Sequence, residues 1–272
     1  MAVVVGILTD FGWGVYAGIL RALGKCLGVD VVDIDHDVPS FSVVAGAYLL
    51  YNSVFWLPRG SGVAAVIDPG VGSSRRALLV VTKHYFIAAP DNGVAAPAAE
   101  EDGVVAVYRL DEARVIAESR KRCQGPPSGW RLSSTFHGRD VFLPAAALAA
   151  LGVEPSRLGF EIDPDSVASL SLEWSEERGE KLIYKVLYID KFGNIALSSR
   201  EKPPAPRYLV STPYGELVAS TARTFSDVPE GEGVIYLNSF GFLEVAINKG
   251  NASKKLGVQV GDEVTLTPIG AS

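Results

Sequence analysis

The sequence is poor in the residues that many catalytic and structural sites require. Its 272 residues include two cysteines, three histidines and one methionine. Cys26 and Cys123 cannot build a disulfide scaffold, which favours a reducing compartment. The sequence contains no Cys-x-x-Cys, His-x-His or His-Glu-x-x-His pair, so we expect no metal site. Any acid–base chemistry must draw on His36, His84 or His137.

Basic clusters and long apolar runs are also scarce. The chain carries 25 Lys and Arg against 31 Asp and Glu, a net charge of −6. Its longest basic run is Arg-Lys-Arg at 120–122, so we expect no nucleic-acid partner. The apolar start at 2–8 lacks a basic flank, and no run of 18 apolar residues occurs, which predicts neither a targeting segment nor a membrane span. We therefore expect a cytoplasmic protein.

The apolar residues that are present follow two successive patterns. With 48% hydrophobic residues, the chain has enough apolar side chains for a large core. Strand-like and helix-like segments alternate over the first 150 residues. The predicted strands are 2–8, 29–35, 63–67, 77–82, 85–89 and 104–110, and the predicted helices are 15–27, 42–56 and 137–151. This alternation predicts an α/β N-terminal domain with a mostly parallel sheet covered on both faces.

From Lys181 onward the pattern changes to alternation with a period of two residues. The segments 182–189, 208–211, 216–220 and 234–237 alternate in this way, and turn signals separate them. They predict a C-terminal all-β domain that closes as a small barrel. We place the α/β domain at 1–165 and the barrel domain at 166–272.

Acidic residues follow four of the predicted strands at the point where each strand ends. They are Asp10, the Asp35–Asp37 segment, Asp68 and the Asp91–Asn92 pair. Ligands of open α/β sheets bind beyond the carboxyl ends of the strands, so four such ends together favour a site. The alternative is that each aspartate caps the helix or turn that follows. No Walker loop or complete dinucleotide fingerprint is present, which disfavours ATP and NAD chemistry.

The three histidines occur in different contexts. His36 is interpreted as a packed, hydrogen-bonded residue, and His84 as part of a surface turn between two strands. His137 opens a predicted apolar helix, in a segment that also contains Arg139 and Asp140. It is therefore the histidine with the most plausible chemical role.

A histidine with a carboxylate partner is the common general-base unit. We pair His137 with Asp68, and Arg75 then keeps that carboxylate ionised through charge-assisted hydrogen bonds. In the alternative, Arg76 is the real partner and Arg75 is a surface cation.

Six ordered motifs extend this prediction to a family. They are TDFG at 9–12, VIDPGVGSSRR at 66–76, APDNG at 89–93, STFHGRDVFLPAAA at 134–147, YIDKFGN at 188–194 and LNSFGFLEVAINKGNA at 237–252. Over nearly the whole chain, the sequence resembles the S-adenosyl-L-methionine hydroxide adenosyltransferases, hydrolases related to the bacterial fluorinase and chlorinase. The resemblance implies an α/β domain joined to a β-barrel. It also implies a homotrimer with each site between the N-terminal domain of one subunit and the C-terminal domain of its neighbour.

The implied reaction splits S-adenosylmethionine with water into adenosine and methionine, without a metal or redox cofactor. Incipient hydroxide attacks C5′ of the ribose while the thioether leaves in line. Because an anion and a sulfonium neutralise each other in the transition state, a dry pocket favours the reaction. The resemblance assigns Asp68 and His137 to polarising the water and Arg75 to orienting the Asp68 carboxylate.

In the N-terminal domain the resemblance implies two binding residues. Asp10 accepts hydrogen bonds from the ribose hydroxyls. Phe41 stands where the halogenating relatives have tryptophan and walls the sulfonium side, with core packing as its alternative.

In the barrel domain, Asp190 is expected to meet the methionine ammonium and Asn194 the adenine edge. Phe192 and Phe225 are expected to sandwich the purine, although either could instead be barrel core. Ser239 is expected to reach the methionine carboxylate. The strand and turn that follow offer mainly backbone groups to adenine, through Glu244, Asn248 and Lys249.

Two other functions remain open. Phe240 stands where the fluorinase has an arginine, which puts the carboxylate contact in doubt and leaves a sensor that binds adenosine or S-adenosylmethionine without turnover. A halogenase of the chlorinase type is the third reading. It is disfavoured because Asp68, His137 and Gly138 occupy the halide positions. In addition, the 42 residues between Gly93 and Phe136 leave no room for the fluorinase's extra loop.

Overall fold

The structure, a computed structural model, describes residues 2–126 and 129–270. The chain divides into an N-terminal unit, Met1–Leu170, and a C-terminal unit, Ser171–Ser272. This division lies close to the boundary at 165–166 placed from the sequence.

A mixed sheet forms the centre of the N-terminal unit. Its strands are Val4–Thr9 (β1), Asp30–Asp35 (β2), Gly62–Val66 (β3), Ala77–Thr82 (β4), Phe86–Pro90 (β5), Val104–Leu110 (β6) and Gly159–Ile162 (β7), in the spatial order β2-β1-β3-β5-β4-β6-β7. The neighbours within β2-β1-β3-β5 are parallel. The β5–β4, β4–β6 and β6–β7 pairs are antiparallel. The predicted α/β domain is confirmed. Its parallel part consists of β2, β1, β3 and β5.

Four helices pack against this sheet, and a fifth packs on another helix. They are Val15–Leu27 (α1), Val43–Val54 (α2), Ala96–Asp102 (α3), Glu112–Arg120 (α4) and Leu143–Ala150 (α5), and α4 is the one that packs on α5. The Ser42 hydroxyl caps α2 by accepting from the Ala45 amide, and Gly28 ends α1 with a φ of 92° that favours glycine. Almost every residue of α5 is buried, because this helix contacts β1, β3 and β5. No helix in the described ranges combines the length and the apolar character that a membrane span needs.

The two cysteines are joined, which changes one inference from the sequence. Cys26, in α1, forms a disulfide with Cys123, 97 residues later and just beyond α4. The low cysteine count therefore loses its force as an argument for a reducing compartment. Sequence separation carries no information on this pairing, since the fold brings α1 and the end of α4 together.

Reducing this disulfide is expected to destabilise the N-terminal unit. A cross-link that closes a long loop restricts the unfolded chain and typically contributes about 2–4 kcal/mol. Thermal unfolding of the oxidised protein, the dithiothreitol-treated protein and the Cys26→Ser/Cys123→Ser variant measures the effect. We expect the last two to melt at the same lower temperature, and an unchanged melting temperature would show that the bridge contributes no stability.

The C-terminal unit is a closed β-barrel, as predicted. Its strands are Ser175–Arg178 (β8), Lys181–Ile189 (β9), Ile195–Leu197 (β10), Arg207–Thr212 (β11), Gly215–Thr221 (β12), Gly233–Leu237 (β13), Leu243–Ile247 (β14) and Glu263–Pro268 (β15), with one helix at Ala252–Leu256 (α6). In the described chain, seven strands follow the order β10-β14-β13-β12-β11-β15-β9, and pairing of β9 with β10 closes the ring. Alternate side chains such as Ile235, Leu243 and Val245 fill its interior.

Candidate active site

The four acidic ends predicted from the sequence lie at one edge of the N-terminal sheet. Strands β1, β2, β3 and β5 run parallel, so their carboxyl ends share that edge. The strand ends carry Asp10, Asp35, Asp68 and Asp91. Because β4 runs antiparallel to β5, it begins at the same edge. Arg75 and Arg76, which precede β4, are thereby brought to the acidic residues.

Arg75 is in direct contact with both Asp68 and His137. The Arg75 guanidinium donates from Nε to Asp68 Oδ1 at 2.8 Å, and from Nη2 to Asp68 Oδ2. The same Nη2 lies 2.8 Å from His137 Nδ1. The side chains of Asp68 and Arg75 are 6% and 12% exposed, and His137 is buried. His137, 62 residues beyond Arg75 in the sequence, thus joins the Asp68–Arg75 pair in one largely buried polar chain.

Arg76 belongs to a separate pair, which answers the question left open by the sequence. Its Nε donates to Asp91 Oδ2 at 2.6 Å, and its Nη2 donates to the Ser166 carbonyl at 2.5 Å. The other Asp91 oxygen accepts from the Ala168 amide at 2.8 Å. Asp91 is therefore occupied in fixing the chain at 166–168, and Arg75 is the partner of Asp68.

The Arg75 contact determines which ring nitrogen of His137 carries the proton. A guanidinium only donates hydrogen bonds, so Nδ1 of His137 must accept and the proton of the neutral ring lies on Nε2. Burial lowers the pKa of His137, the positive charge of Arg75 lowers it further, and Asp68 opposes these effects. His137 is therefore a neutral ring at neutral pH that offers an Nε2–H donor.

Local backbone structure explains how His137 comes to this position. The predicted helix from 137 to 151 begins instead with a π-helical turn, Gly138–Phe142, and His137 precedes it. Such turns insert an extra residue and recur at functional sites. The buried ring of Phe142 lies under the Arg75 guanidinium, 5.1 Å from its centre, and 6.5 Å from the His137 ring. The Phe142 ring therefore supports the side chains of both Arg75 and His137.

The loop from Asp68 to Arg75 packs closely on the segment before His137. A β-carbon placed on Gly72 would lie 2.6 Å from the Ser134 carbonyl oxygen, and Gly72 has a φ of 77°. Both the close approach and the positive φ require glycine here. Gly72 therefore serves the fit between the two loops that carry the polar chain.

Asp10 and Phe41 also meet at this edge. The Phe41 amide donates to Asp10 Oδ2 at 2.8 Å. Phe41 has a φ of 65° and its side chain is 71% exposed, so its alternative role in core packing is wrong. A bulky residue in the left-handed region is strained, and such strain concentrates at functional sites. Asp10 holds an aromatic ring out toward solvent.

Sequence reasoning missed an aromatic surface beside Asp10. The rings of Phe11 and Phe136 lie 5.8 Å apart, and Tyr16 lies 5.1 Å from Phe136. Trp13 is 49% and Tyr16 50% exposed. The predicted packed residue His36 lies beneath them with no exposed surface, hydrogen-bonded to Thr9 and Asp33. The run Phe-Gly-Trp-Gly-Val-Tyr after Asp10 was the available signal.

In the C-terminal unit, Asp190 organises a tight turn. One of its oxygens accepts from the Phe192 and Asn194 amides, each at 2.9 Å, and the other accepts from Asn194 Nδ2 at 2.9 Å. The turn leaves Phe192 62% exposed, so this ring is not barrel core. A carboxylate oxygen has two lone pairs, and Oδ2 of Asp190 uses only one of them, for Asn194 Nδ2. The Asp190 carboxylate therefore keeps acceptor capacity for a cationic group.

Glu244 lies on the outer face of the barrel next to this turn. The sequence predicted a role mainly for its backbone, but its side chain also makes hydrogen bonds. It accepts hydrogen bonds from the Tyr236 hydroxyl and from Asn238 Nδ2, the latter at 2.9 Å. Burial raises the pKa of Glu244, the two hydrogen bonds oppose this, and the charge of Asp190 raises it further. The Asp190 charge therefore acts on the Glu244 carboxyl.

The remaining predicted barrel residues lie at neighbouring turns. Phe225 is half-buried, with its ring 4.9 Å from that of Tyr236. Asn248 Nδ2 donates to the Val228 carbonyl at 2.8 Å. Lys249 has a φ of 53° and pairs with Glu230. A further residue, Ser239, is exposed in the turn after β13.

The other acidic groups near histidines have structural partners. His84 Nδ1 lies 2.6 Å from Asp102 Oδ1 in the turn between β4 and β5, as its placement in a turn predicted. Among residues 2–126 and 129–270, no group of three or more His, Cys, Asp or Glu side chains is arranged to hold a metal ion.

A mixed α/β unit that carries an Asp–Arg–His chain at its strand edge, followed by a closed β-barrel, defines a two-domain α/β-plus-barrel protein. The family of SAM hydroxide adenosyltransferases matches this chain in both parts, its N-terminal domain at residues 5–159 and its C-terminal domain at 184–265. The chain belongs to that family, as its six motifs predicted.

Individual relatives agree with this assignment. The (R)-S-adenosyl-L-methionine hydrolase of Thermus thermophilus is 37% identical over 267 residues, which cover 95% of this chain and 97% of the relative. The fluorinase of an Actinoplanes species is 24% identical over 281 residues, covering 90% of each chain. A crystal structure from Thermotoga maritima has a TM-score of 0.81 and 32% identity, covering 97% of this chain and 99% of that one.

Proposed function

We propose that this protein hydrolyses S-adenosyl-L-methionine to adenosine and L-methionine. The observation that carries the proposal is the buried contact among Asp68, Arg75 and His137 at the carboxyl edge of the sheet. These three side chains can hold and polarise one water molecule in a largely buried site. The named hydrolases among the relatives, at 30–37% identity, supply the substrate.

In the proposed reaction, water attacks C5′ of the ribose and methionine leaves as a neutral thioether. The C5′–O bond forms as the C5′–S bond breaks, and the water proton passes to the Asp68 carboxylate and then to solvent. His137 donates from Nε2 to the water oxygen and so fixes its position, and Arg75 holds both partners. Opposite charges are neutralised in the transition state, so the low exposure of these groups favours the step.

The remaining assignments are part of this proposal. Asp10 binds the ribose hydroxyls and Phe41 walls the sulfonium. On the barrel unit the methionine and adenine contacts come from Asp190, Phe192, Asn194, Phe225, Ser239, Glu244, Asn248 and Lys249. We propose that no metal or other cofactor takes part. The homotrimer, the absence of nucleic-acid partners and the cytoplasmic location stay predictions, of which light scattering tests the first.

Product analysis tests the proposed function. Incubation with S-adenosylmethionine, with and without molar chloride, is expected to yield equal amounts of adenosine and methionine in both conditions. Tight binding without any product would instead show a sensor. A chloride-dependent 5′-chloronucleoside would show a halogenase.

The pH dependence of turnover follows from the state of His137. Because burial and Arg75 lower its pKa, the neutral ring persists below the ordinary histidine pKa of about 6.5. We expect kcat to be constant near neutral pH and to fall only at pH values below about 6.5. Stability should fall in the same acidic window, since the unfolded chain binds a proton that the folded site resists. An acid limb centred at or above the ordinary value would contradict this state of His137.

A further inference from the structure

A second carboxylate close to His137 has no part in the proposed reaction. Asp140 lies three residues after His137, within the π-helical turn Gly138–Phe142. Its side chain has no exposed surface. A buried charge of this kind is costly unless it is paired and hydrogen-bonded, so its partners indicate what it holds in place.

Four donors fill the acceptor positions of the Asp140 carboxylate. Oδ1 accepts from the Trp130 indole at 2.9 Å and from Arg139 Nε at 2.6 Å. Oδ2 accepts from the Ser133 amide and from Arg139 Nη2, each at 2.8 Å. Trp130 and Ser133 precede His137 and Arg139 follows it. One carboxylate therefore ties together the chain on both sides of His137.

The chain before His137 has little other regular support. Residues 131–136 are all described, and none of them belongs to a helix or strand. The Asp140 amide donates to the Phe136 carbonyl at 3.2 Å, and the Arg139 guanidinium lies 5.4 Å from the centre of the Phe136 ring. Asp140 thus contacts Phe136, the residue before His137, in two ways. Its own backbone amide binds the Phe136 carbonyl, and its partner Arg139 lies against the Phe136 ring.

We propose that Asp140 is a positioning residue that keeps His137 Nδ1 in contact with the Arg75 guanidinium. Its effect on turnover rests on the proposed function, whereas its effect on the His137 ring does not. Asparagine at 140 offers one oxygen and one NH₂ group. Because both Asp140 oxygens accept from Arg139, the nitrogen meets Arg139 donor to donor in either orientation, together with either the Trp130 indole or the Ser133 amide. The segment before His137 then loses an anchor, and the imidazole moves away from Arg75.

Imidazole NMR titration of the unliganded protein measures this directly, because the chain has only three histidines. The charged groups that act on His137 are Arg75, Asp68, Glu112 and Asp140. Removing the negative charge of Asp140 would by itself lower the pKa of His137. Loss of the Arg75 contact raises it. We expect Asp140→Asn to raise the pKa toward its ordinary value of about 6.5, so the sign separates positioning from a direct charge effect.

In the same variant we expect kcat to fall about tenfold to a hundredfold, the range that a displaced reacting group costs, with KM little changed. Asp102→Asn is the matched control. It removes another buried carboxylate that holds a turn of the same unit, at the opposite edge of the sheet. It should lower the melting temperature without moving the His137 pKa or kcat.

Trp130→Phe keeps an aromatic side chain and removes one of the four donors, so it serves as the second variant if Asp140→Asn does not fold. We expect a smaller shift of the His137 pKa in the same direction. An unchanged or lowered pKa in a folded variant overturns the positioning role. A raised pKa in a protein that shows no turnover of S-adenosylmethionine upholds that role and refutes the proposed function instead.

Discussion

Replacing Asp68 with asparagine is expected to lower kcat about a thousandfold, in the range typical of a lost general base. The amide still accepts a hydrogen bond from Arg75, but it cannot take the water proton. Substrate affinity should change little, because the proposed role of Asp68 is confined to the attacking water. Steady-state kinetics of adenosine release give kcat and KM separately.

Asp91→Asn is the matched control for this variant. Asp91 is also a largely buried carboxylate at the same sheet edge, paired with Arg76 as Asp68 is with Arg75. Its loss should reduce stability while kcat stays within a few-fold of the wild type. Equal losses of kcat in the two variants would mean that Asp68 acts only by holding the fold.

Replacing His137 with alanine is expected to lower kcat about 10²–10³-fold, as does the loss of one positioned donor at a reacting oxygen. Glutamine at this position is the informative comparison. Its amide oxygen can accept from Arg75 and its NH₂ group can donate in place of Nε2–H, but an amide does not act as a base. We expect His137→Gln to retain at least about tenfold more activity than His137→Ala.

Equal activities of the alanine and glutamine variants would contradict the donor role. They would indicate instead that His137 acts as a base. The Arg75 contact at Nδ1 argues against that role, because it leaves the proton on Nε2. The melting temperature of each variant serves as the check that both are folded.

The sheet edge that carries the candidate site could be predicted from the sequence because its signals are local. Each parallel strand is a short apolar run that ends in an aspartate, and the first five strands were predicted to within a few residues. The smaller elements were missed. Strand β10 spans only Ile195–Leu197, and α4 is a largely polar helix at Glu112–Arg120, so neither has a hydrophobic pattern of its own.

The pairings within the site depend on geometry that the sequence does not encode locally. Arg75 and Arg76 are neighbouring residues of the same type, so the sequence does not distinguish them. Their side chains point to opposite sides because the two residues lead into strand β4, where successive side chains alternate in direction. That alternation sends Arg75 to Asp68 and Arg76 to Asp91. The disulfide and the anchoring of the segment before His137 by Asp140 likewise join residues whose spacing in the sequence gives no signal.

The central claim is that water attacks C5′ of S-adenosylmethionine at the site of Asp68, Arg75 and His137. Turnover in ¹⁸O-water, followed by mass spectrometry of the nucleoside, tests this claim most directly. The account predicts adenosine that carries one ¹⁸O atom at its 5′ oxygen, together with unlabelled methionine. Unlabelled adenosine, or label in methionine instead, would contradict it.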